Sequence, residues 1–242
     1  MTALAQRLKE RYFRGDHPYR VFEREVEALL RPGYTLLDAG CGRTAPILSK
    51  FAGKASRLLG VDLVEFEEVP KGLELYRSDL GAIPIDSGCV DVVMARSVME
   101  HVTDPSRVYR EIHRVLRRGG HFVFLTANLW DYASIIDTLI PNGLHPWIVS
   151  KTEGRAEQDV FPVAYRTNTR QAVEKWARHA GFEIVSFRHL GQYPAYFMFN
   201  GPLFLVATGY EKLIGKVRAL NFLQGWIFVT LRKPEGGELT SG

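Results

Sequence analysis

Three carboxylates and a pair of glycines are the residues of this chain with the clearest chemical use. Asp38 precedes Gly40-Cys41-Gly42 in the run LLDAGCGRTAP, Asp62 ends the run SRLLGVD, and Asp79 closes LELYRSD. The spacing Gly40-x-Gly42-x-x-Ala45 is that of a turn whose backbone lies close to an adenosine-bearing ligand. An acid about 20 residues further on, here Asp62, accepts hydrogen bonds from ribose hydroxyls. Those features alone also fit a dinucleotide. Asp38 argues for a different ligand, because a carboxylate two residues before the first glycine opposes a pyrophosphate and attracts an amine and a sulfonium. S-adenosylmethionine carries both.

These residues can act together only if strand ends bring them to one edge of a sheet. YTLLDAG reads as the first strand, SRLLGVD as the second, LELYRSD as the third and CVDVVMARS as the fourth. HFVFLTA reads as a fifth strand after the Gly119-Gly120 break, EIVSFRHL as a sixth and GWIFVTLRK as a seventh. Helical spacing marks Tyr19 to Leu30, the segment DPSRVYREIHRVLRR with Asp104 as N-cap and Pro105 at its first position, and NTRQAVEKWARHAGF. APILSKFAG, opened by Pro46 and closed by Gly53, predicts a further short helix. Alternation of this kind predicts an α/β fold, a Rossmann-like seven-stranded, mostly parallel sheet with helices on both faces. Ligands of such sheets bind outside the carboxyl ends of the strands, at the switch point. One domain is expected over 1–242, with an N-terminal helix in 1–18 and a loose polar tail at 234–242. Two insertions interrupt the rhythm, an acceptor-side one at 128–167 and an apolar one at 191–224, before the last strand.

With these motifs in view, LLDAGCGRTAP resembles motif I of the class I S-adenosylmethionine-dependent methyltransferases. GVDL resembles the end of their second strand. The block RSDLGAIPIDSGCVDVVMARSVMEHVTDPSRVYREIHRVLRRGGHFVFLTAN is similar over its whole length to the one that follows in their small-molecule (type 11-like) subgroup. The likeness runs from Tyr19 to Leu190 and resumes at the final strand. It implies S-adenosylmethionine as cofactor and S-adenosylhomocysteine as product. It also implies a cofactor pocket built from Asp38, Gly40, Cys41, Gly42, Asp62, Leu63, Asp79, Leu80, Arg96 and Ser97. Asp62 would take the ribose, Asp79 the adenine amine, and Leu80 would cover the base. One departure stands out: Arg43-Thr44 occupies the place where many relatives have Thr-Gly or Ser-Gly, which puts the methionine end of the pocket in question.

Methyl transfer is an in-line displacement at an activated carbon, so alignment and exclusion of water are the main tasks. A base helps when the acceptor is a hydroxyl, and oxygen is the acceptor atom expected here. His101, just after the fourth strand, and His145, in the first insertion, are the candidate bases. Glu100, Tyr132, Trp147, Tyr165 and Arg166 are the candidate acceptor contacts. No metal site is expected, since the histidines do not pair with cysteines or acids at ligand spacing.

A formal net charge of +4 permits an anionic partner without requiring one. Without an added RNA-binding module, nucleic acid is not the expected partner; a small-molecule or lipid-like acceptor is. The run QYPAYFMFNGPLFLVATGY has no charged residue and leads into the basic EKLIGKVRALNF. Lying between two strands of one sheet, 193–220 reads as a cap over an apolar acceptor or a helix on a membrane surface rather than a span. Two separated cysteines and a start with no signal-type apolar core place the chain in the cytoplasm, with peripheral contact at the inner membrane surface left open. Three other readings stay open: methylation of RNA or protein, a non-catalytic S-adenosylmethionine-binding protein, and an NAD oxidoreductase. The sequence leaves the oligomeric state undetermined.

Overall fold

The fold is known from a computed structural model, which describes residues 1–15, 17–67, 69–139 and 162–236. Its centre is strand β1 (Thr35–Ala39), buried along its whole length. Around it stand β2 (Arg57–Asp62), β3 (Leu73–Arg77), β4 (Val90–Arg96), β5 (Leu116–Ala127), β6 (Glu183–Leu190) and β7 (Trp226–Arg232), in the order β3-β2-β1-β4-β5-β7-β6. The first five strands are parallel, while β7 runs antiparallel to both β5 and β6.

The paired apolar residues of the strands divide between two cores, one on each face. Leu37, Val93, Phe122 and Phe124 pack on one side with Tyr109, Ile112 and Val173. Leu36, Val92, Met94 and Val123 pack on the other with Phe22, Val26 and Phe51. Neighbouring residues of a strand point to opposite faces, so a sheet covered on both sides needs near-continuous apolar strands.

Helices α1 (Ala3–Tyr12) and α2 (Pro18–Leu29) precede the sheet, and α3 (Pro105–Val115) joins β4 to β5. Asp104 caps α3 by accepting a hydrogen bond from the Arg107 amide at 3.1 Å, with Pro105 opening the helix. Helix α4 (Tyr132–Leu139) follows β5, and α5 (Arg170–Ala180) leads into β6, ending at Gly181 with φ of 82°. Helix α6 (Gly201–Lys216) lies between β6 and β7 and packs beside α1.

Three local expectations change. The segment after the glycine turn is a single 3-10 turn, Leu48–Phe51, rather than an α-helix. Leu48 and Phe51, three residues apart, are the buried positions there, and that spacing matches the three-residue period of a 3-10 turn. Strand β5 begins at Leu116 and continues through the Gly119-Gly120 break, because Gly119 takes a φ of 75° that lets the strand shift register beside β4. In the second insertion, α6 spans the boundary between the uncharged and basic runs. Near its C-terminal end Ile214 is buried, whereas Leu213 and, just past the helix, Val217 are exposed.

Candidate active site

The strand order reverses between β1 and β4, and the carboxyl ends of β1, β2, β3 and β4 open there into a cavity of about 550 Å³. Gly40, Gly42, Asp62, Leu63, Asp79, Leu80, Arg96, Ser97 and His101, all singled out from the sequence, line it.

The glycine turn has a steric reason for its composition. Gly40 has a φ of 89°, and a Cβ there would lie 2.2 Å from Cγ2 of Val98, which itself faces the cavity. Gly42, at φ of 73°, has open space around it and donates its amide to Oδ2 of Asp62 at 2.8 Å. Oδ1 of Asp62 accepts from the amides of Leu63 at 2.7 Å and Val64 at 3.2 Å. A carboxylate has about four lone-pair sites, so Asp62 ties the end of β2 to the turn after β1 and keeps Oδ2 able to accept once more. Asp79 closes a local turn by accepting from the Gly81 amide at 2.7 Å. Arg107 of α3 donates to the Gly81 carbonyl at 2.8 Å and lies so close that a Cβ at Gly81 would meet its side chain at 2.7 Å. Leu63 exposes 53% of its surface at the rim, an apolar side chain placed to meet a flat ligand.

Asp38 lies beneath the turn, 1% exposed, and its Oδ2 has no hydrogen-bond partner among the described residues. Burial raises its pKa to about 7; the positive Arg96 nearby opposes that rise and the Asp62 carboxylate adds to it. Arg96 is held by Glu23 at 3.1 Å and lies 4.1 Å above the Tyr19 ring. Ser97 takes a φ of 55°, uncommon for a residue with a side chain, and its Oγ is 3.3 Å from the Tyr19 hydroxyl. Cys41 is buried under the turn against Gly60, and burial pushes its thiol pKa upward, away from reactivity. Arg43 leans away from the cavity, its guanidinium 3.5 Å from the Glu65 carbonyl.

The acceptor-side residues divide. His101 faces the cavity with Nδ1 3.2 Å from the Pro162 carbonyl. Glu100 points into the fold, accepting from Thr126 Oγ1 at 2.6 Å, while its main-chain carbonyl accepts from Ala164 and Tyr165. Asn168 completes this buried network through Thr126 at 2.9 Å and the Ala127 carbonyl at 2.7 Å. Tyr132 is away from the cavity, stacked on Phe197 at 5.7 Å and edge-on to Tyr210 at 5.9 Å. Tyr165 and Arg166 follow directly on the cavity-lining Pro162, Val163 and Ala164. His145 and Trp147 lie outside the described residues. Val98 and residues 162–164 line the cavity from segments expected beside it, the run after the fourth strand and the acceptor-side insertion, whereas Arg107 of α3 is a wall that the sequence did not single out. The one local signal for it is Gly81, whose missing Cβ makes room for the Arg107 side chain.

A seven-stranded sheet of this order, with a glycine turn and three strand-end acids at its switch point, defines a nucleoside-binding α/β fold. Residues 37–124 match the family model described as a methyltransferase domain. The chain is 31% identical over 191 residues to an uncharacterized methyltransferase of Mycobacteroides abscessus, covering 67% of this chain and 68% of that one. It is 26% identical to cycloartenol-C-24-methyltransferase 1 of Oryza sativa subsp. japonica, covering 88% of this chain and 62% of that protein. Geranyl diphosphate C-methyltransferase from Streptomyces coelicolor A3(2), solved with S-adenosyl-L-homocysteine, shares the fold at a TM-score of 0.56 and 14% identity, covering 88% of this chain and 77% of that one. The chain belongs to the class I S-adenosylmethionine-dependent methyltransferases. It spans 33% of one curated relative's length and 76% of another's.

Proposed function

We propose that this chain transfers a methyl group from S-adenosylmethionine to a small-molecule or lipid-like acceptor. The observation that carries this is the convergence of Gly40, Gly42, Asp62 and Asp79 on one cavity, above the buried Asp38. The residues fit the cofactor. An unpartnered carboxylate oxygen in a buried site suits a cationic ligand, and Gly42 faces open space that a ligand can approach closely.

When bound, S-adenosylmethionine supplies a methyl group already activated by the sulfonium. On this reading Asp62 accepts a ribose hydroxyl through Oδ2, Asp79 accepts the adenine amine, and Leu63 and Leu80 enclose the base. Asp38 supports the glycine turn electrostatically, and Ser97, held by Tyr19, shapes the wall beside the methyl group. His101 orients the acceptor or takes its proton. Glu100 acts from behind, anchoring Ala164 and so the wall that Pro162 to Ala164 present to the acceptor.

The outward side of α6 supports a greasy acceptor or a membrane surface. Leu203, Leu205 and Val206 are exposed along it, with Phe199 beside them at 68% exposure. Among the described residues no helix is long and apolar enough to cross a membrane. Oxygen is the acceptor atom that a cavity histidine favours; carbon is the second reading, favoured by relatives whose names specify C-methylation. Transfer from methyl-labelled S-adenosylmethionine into fractionated cell extract tests the proposal. Label in the lipid or aqueous small-molecule fraction is expected, and tandem mass spectrometry of the product distinguishes O-methyl from C-methyl. Label confined to RNA or protein would refute the acceptor class, and no label with cofactor binding intact would favour a non-catalytic role.

A further inference from the structure

A second cavity, of about 430 Å³, lies where the loop between α1 and α2 meets the segment after β6 and one side of α6. Its volume is in the range of small-molecule sites. Lys9, Arg14, His17, Arg20 and Lys212 line it, with Tyr193 among them, and no carboxylate appears among its described lining residues. Elsewhere several exposed arginines face glutamates, as in Arg57–Glu74 and Arg232–Glu183.

The cations here are placed by other means. The Lys9 amine lies 3.9 Å over the Tyr193 ring. The Lys212 amine donates to the Tyr12 carbonyl and lies 4.6 Å over the Phe13 ring. Arg14 donates through Nε to the Glu10 carbonyl at 3.2 Å, which leaves its terminal nitrogens for another acceptor. Aromatic faces and carbonyls fix a cation's position without neutralising it. Among the described residues none of Lys9, Arg14, Arg20 and Lys212 forms a salt bridge. The field they create is felt locally: burial lowers the His17 pKa, and the charges of Lys9, Arg96 and Arg20 lower it further.

We propose that this cavity binds a phosphoryl group, as the phosphate or diphosphate end of a small molecule or as a lipid headgroup. Lys9, Arg14, Arg20 and Lys212 bring four positive charges to one cavity, more than a single carboxylate neutralises, whereas a phosphate ester carries more charge and several acceptor oxygens for guanidinium and ammonium donors. The site is distinct from the cofactor cavity, and the inference does not rest on the cofactor reading. The two are separated by one layer of side chains: the His17 ring meets Tyr19 at 4.7 Å, and Tyr19 meets Ser97 on the cofactor side. Leu205, exposed on α6, lies two turns before Lys212 on the same side of the helix, so an anionic headgroup in the cavity would have its chains directed toward that residue.

The test uses the full chain and an R20Q/K212Q double variant. Pyrophosphate binding is followed by titration calorimetry at low salt. Vesicles of pure phosphatidylcholine, or of phosphatidylcholine with phosphatidylglycerol, are used for flotation. Pyrophosphate binding that the variant weakens about tenfold or more supports the proposal with a soluble ligand. Flotation only with the phosphatidylglycerol vesicles, lost in the variant, supports it with a lipid headgroup. Absence of both, or a variant that behaves like the unmodified chain in the assay that responds, overturns it. Thermal unfolding and S-adenosylmethionine affinity check the variant's fold; if it fails, K9Q and R20Q single variants are measured in its place.

Discussion

The buried Asp38 carboxyl makes stability depend on pH in a way that one substitution isolates. Its pKa is 3.8 in the unfolded chain and about 7 in the fold, because burial penalises the charged form more than Arg96 favours it. Between those values the folded state holds a proton that the unfolded state has lost. Asp38 therefore costs nothing at pH 3.8 and below, and its cost grows as pH rises, levelling above 7. The difference between the two values sets an upper bound of about 4 kcal/mol at pH 8, and relaxation around the group lowers it. Asp38→Asn removes the titration while keeping the shape. Urea unfolding of both proteins from pH 5 to pH 8.5 is the measurement. The variant should become more stable than the parent by about 1–4 kcal/mol over that range, and the comparison cancels other titrating groups such as Glu211, whose pKa is also raised, to about 8. A stability difference that stays flat with pH would show that Asp38 is ionised throughout and refute the argument. Cofactor affinity gives an independent check, since a cationic ligand favours the ionised carboxylate. Affinity should rise with pH through 7 in the parent and lose that dependence in the variant.

Three further outcomes are expected. Asp62→Ala removes the acceptor of the Gly42 amide and the proposed ribose contact, and calorimetry should show cofactor binding weakened by about 1–3 kcal/mol. Gly40→Ala places a Cβ against Val98 at a positive φ; loss of measurable cofactor binding is expected, and unchanged affinity would mean the turn is not the binding element. Tyr109→Phe should be neutral or stabilising by up to about 1 kcal/mol in denaturant unfolding, because the Tyr109 hydroxyl is buried with no hydrogen-bond partner among the described residues.

Much of the fold was legible in the sequence because its strongest signals are local. Near-continuous apolar strands report burial on both faces, and Asp104-Pro105 and Gly181 mark helix ends through backbone chemistry that needs no distant partner. The glycine turn was legible for the same reason, since a positive φ at Gly40 and Gly42 restricts the residue type directly. The strand-end acids followed once the strand ends were placed. Where a signal depended on length or on a distant partner, it misled. The segment after Gly42 has helix-like composition, but within Leu48–Phe51 the buried residues are Leu48 and Phe51, three apart, and one 3-10 turn suffices to place them.

Tertiary structure alone decided which of the marked side chains share a space. Glu100 and His101 are neighbours in sequence, yet the short 3-10 turn Met99–His101 sends one into the Thr126 network and the other to the cavity. The sequence marks Asp38 by its place before the glycines, but only complete enclosure by the folded sheet raises its pKa and leaves an oxygen without a partner among the described residues. The basic cavity likewise has no linear signature, since Lys212 joins Lys9 and Arg20 only because α6 packs against α1. Backbone preference and apolar periodicity act over a few residues and survive in the linear text. Desolvation and the sum of charges depend on everything within about 10 Å, and the text holds that information only after the chain has folded.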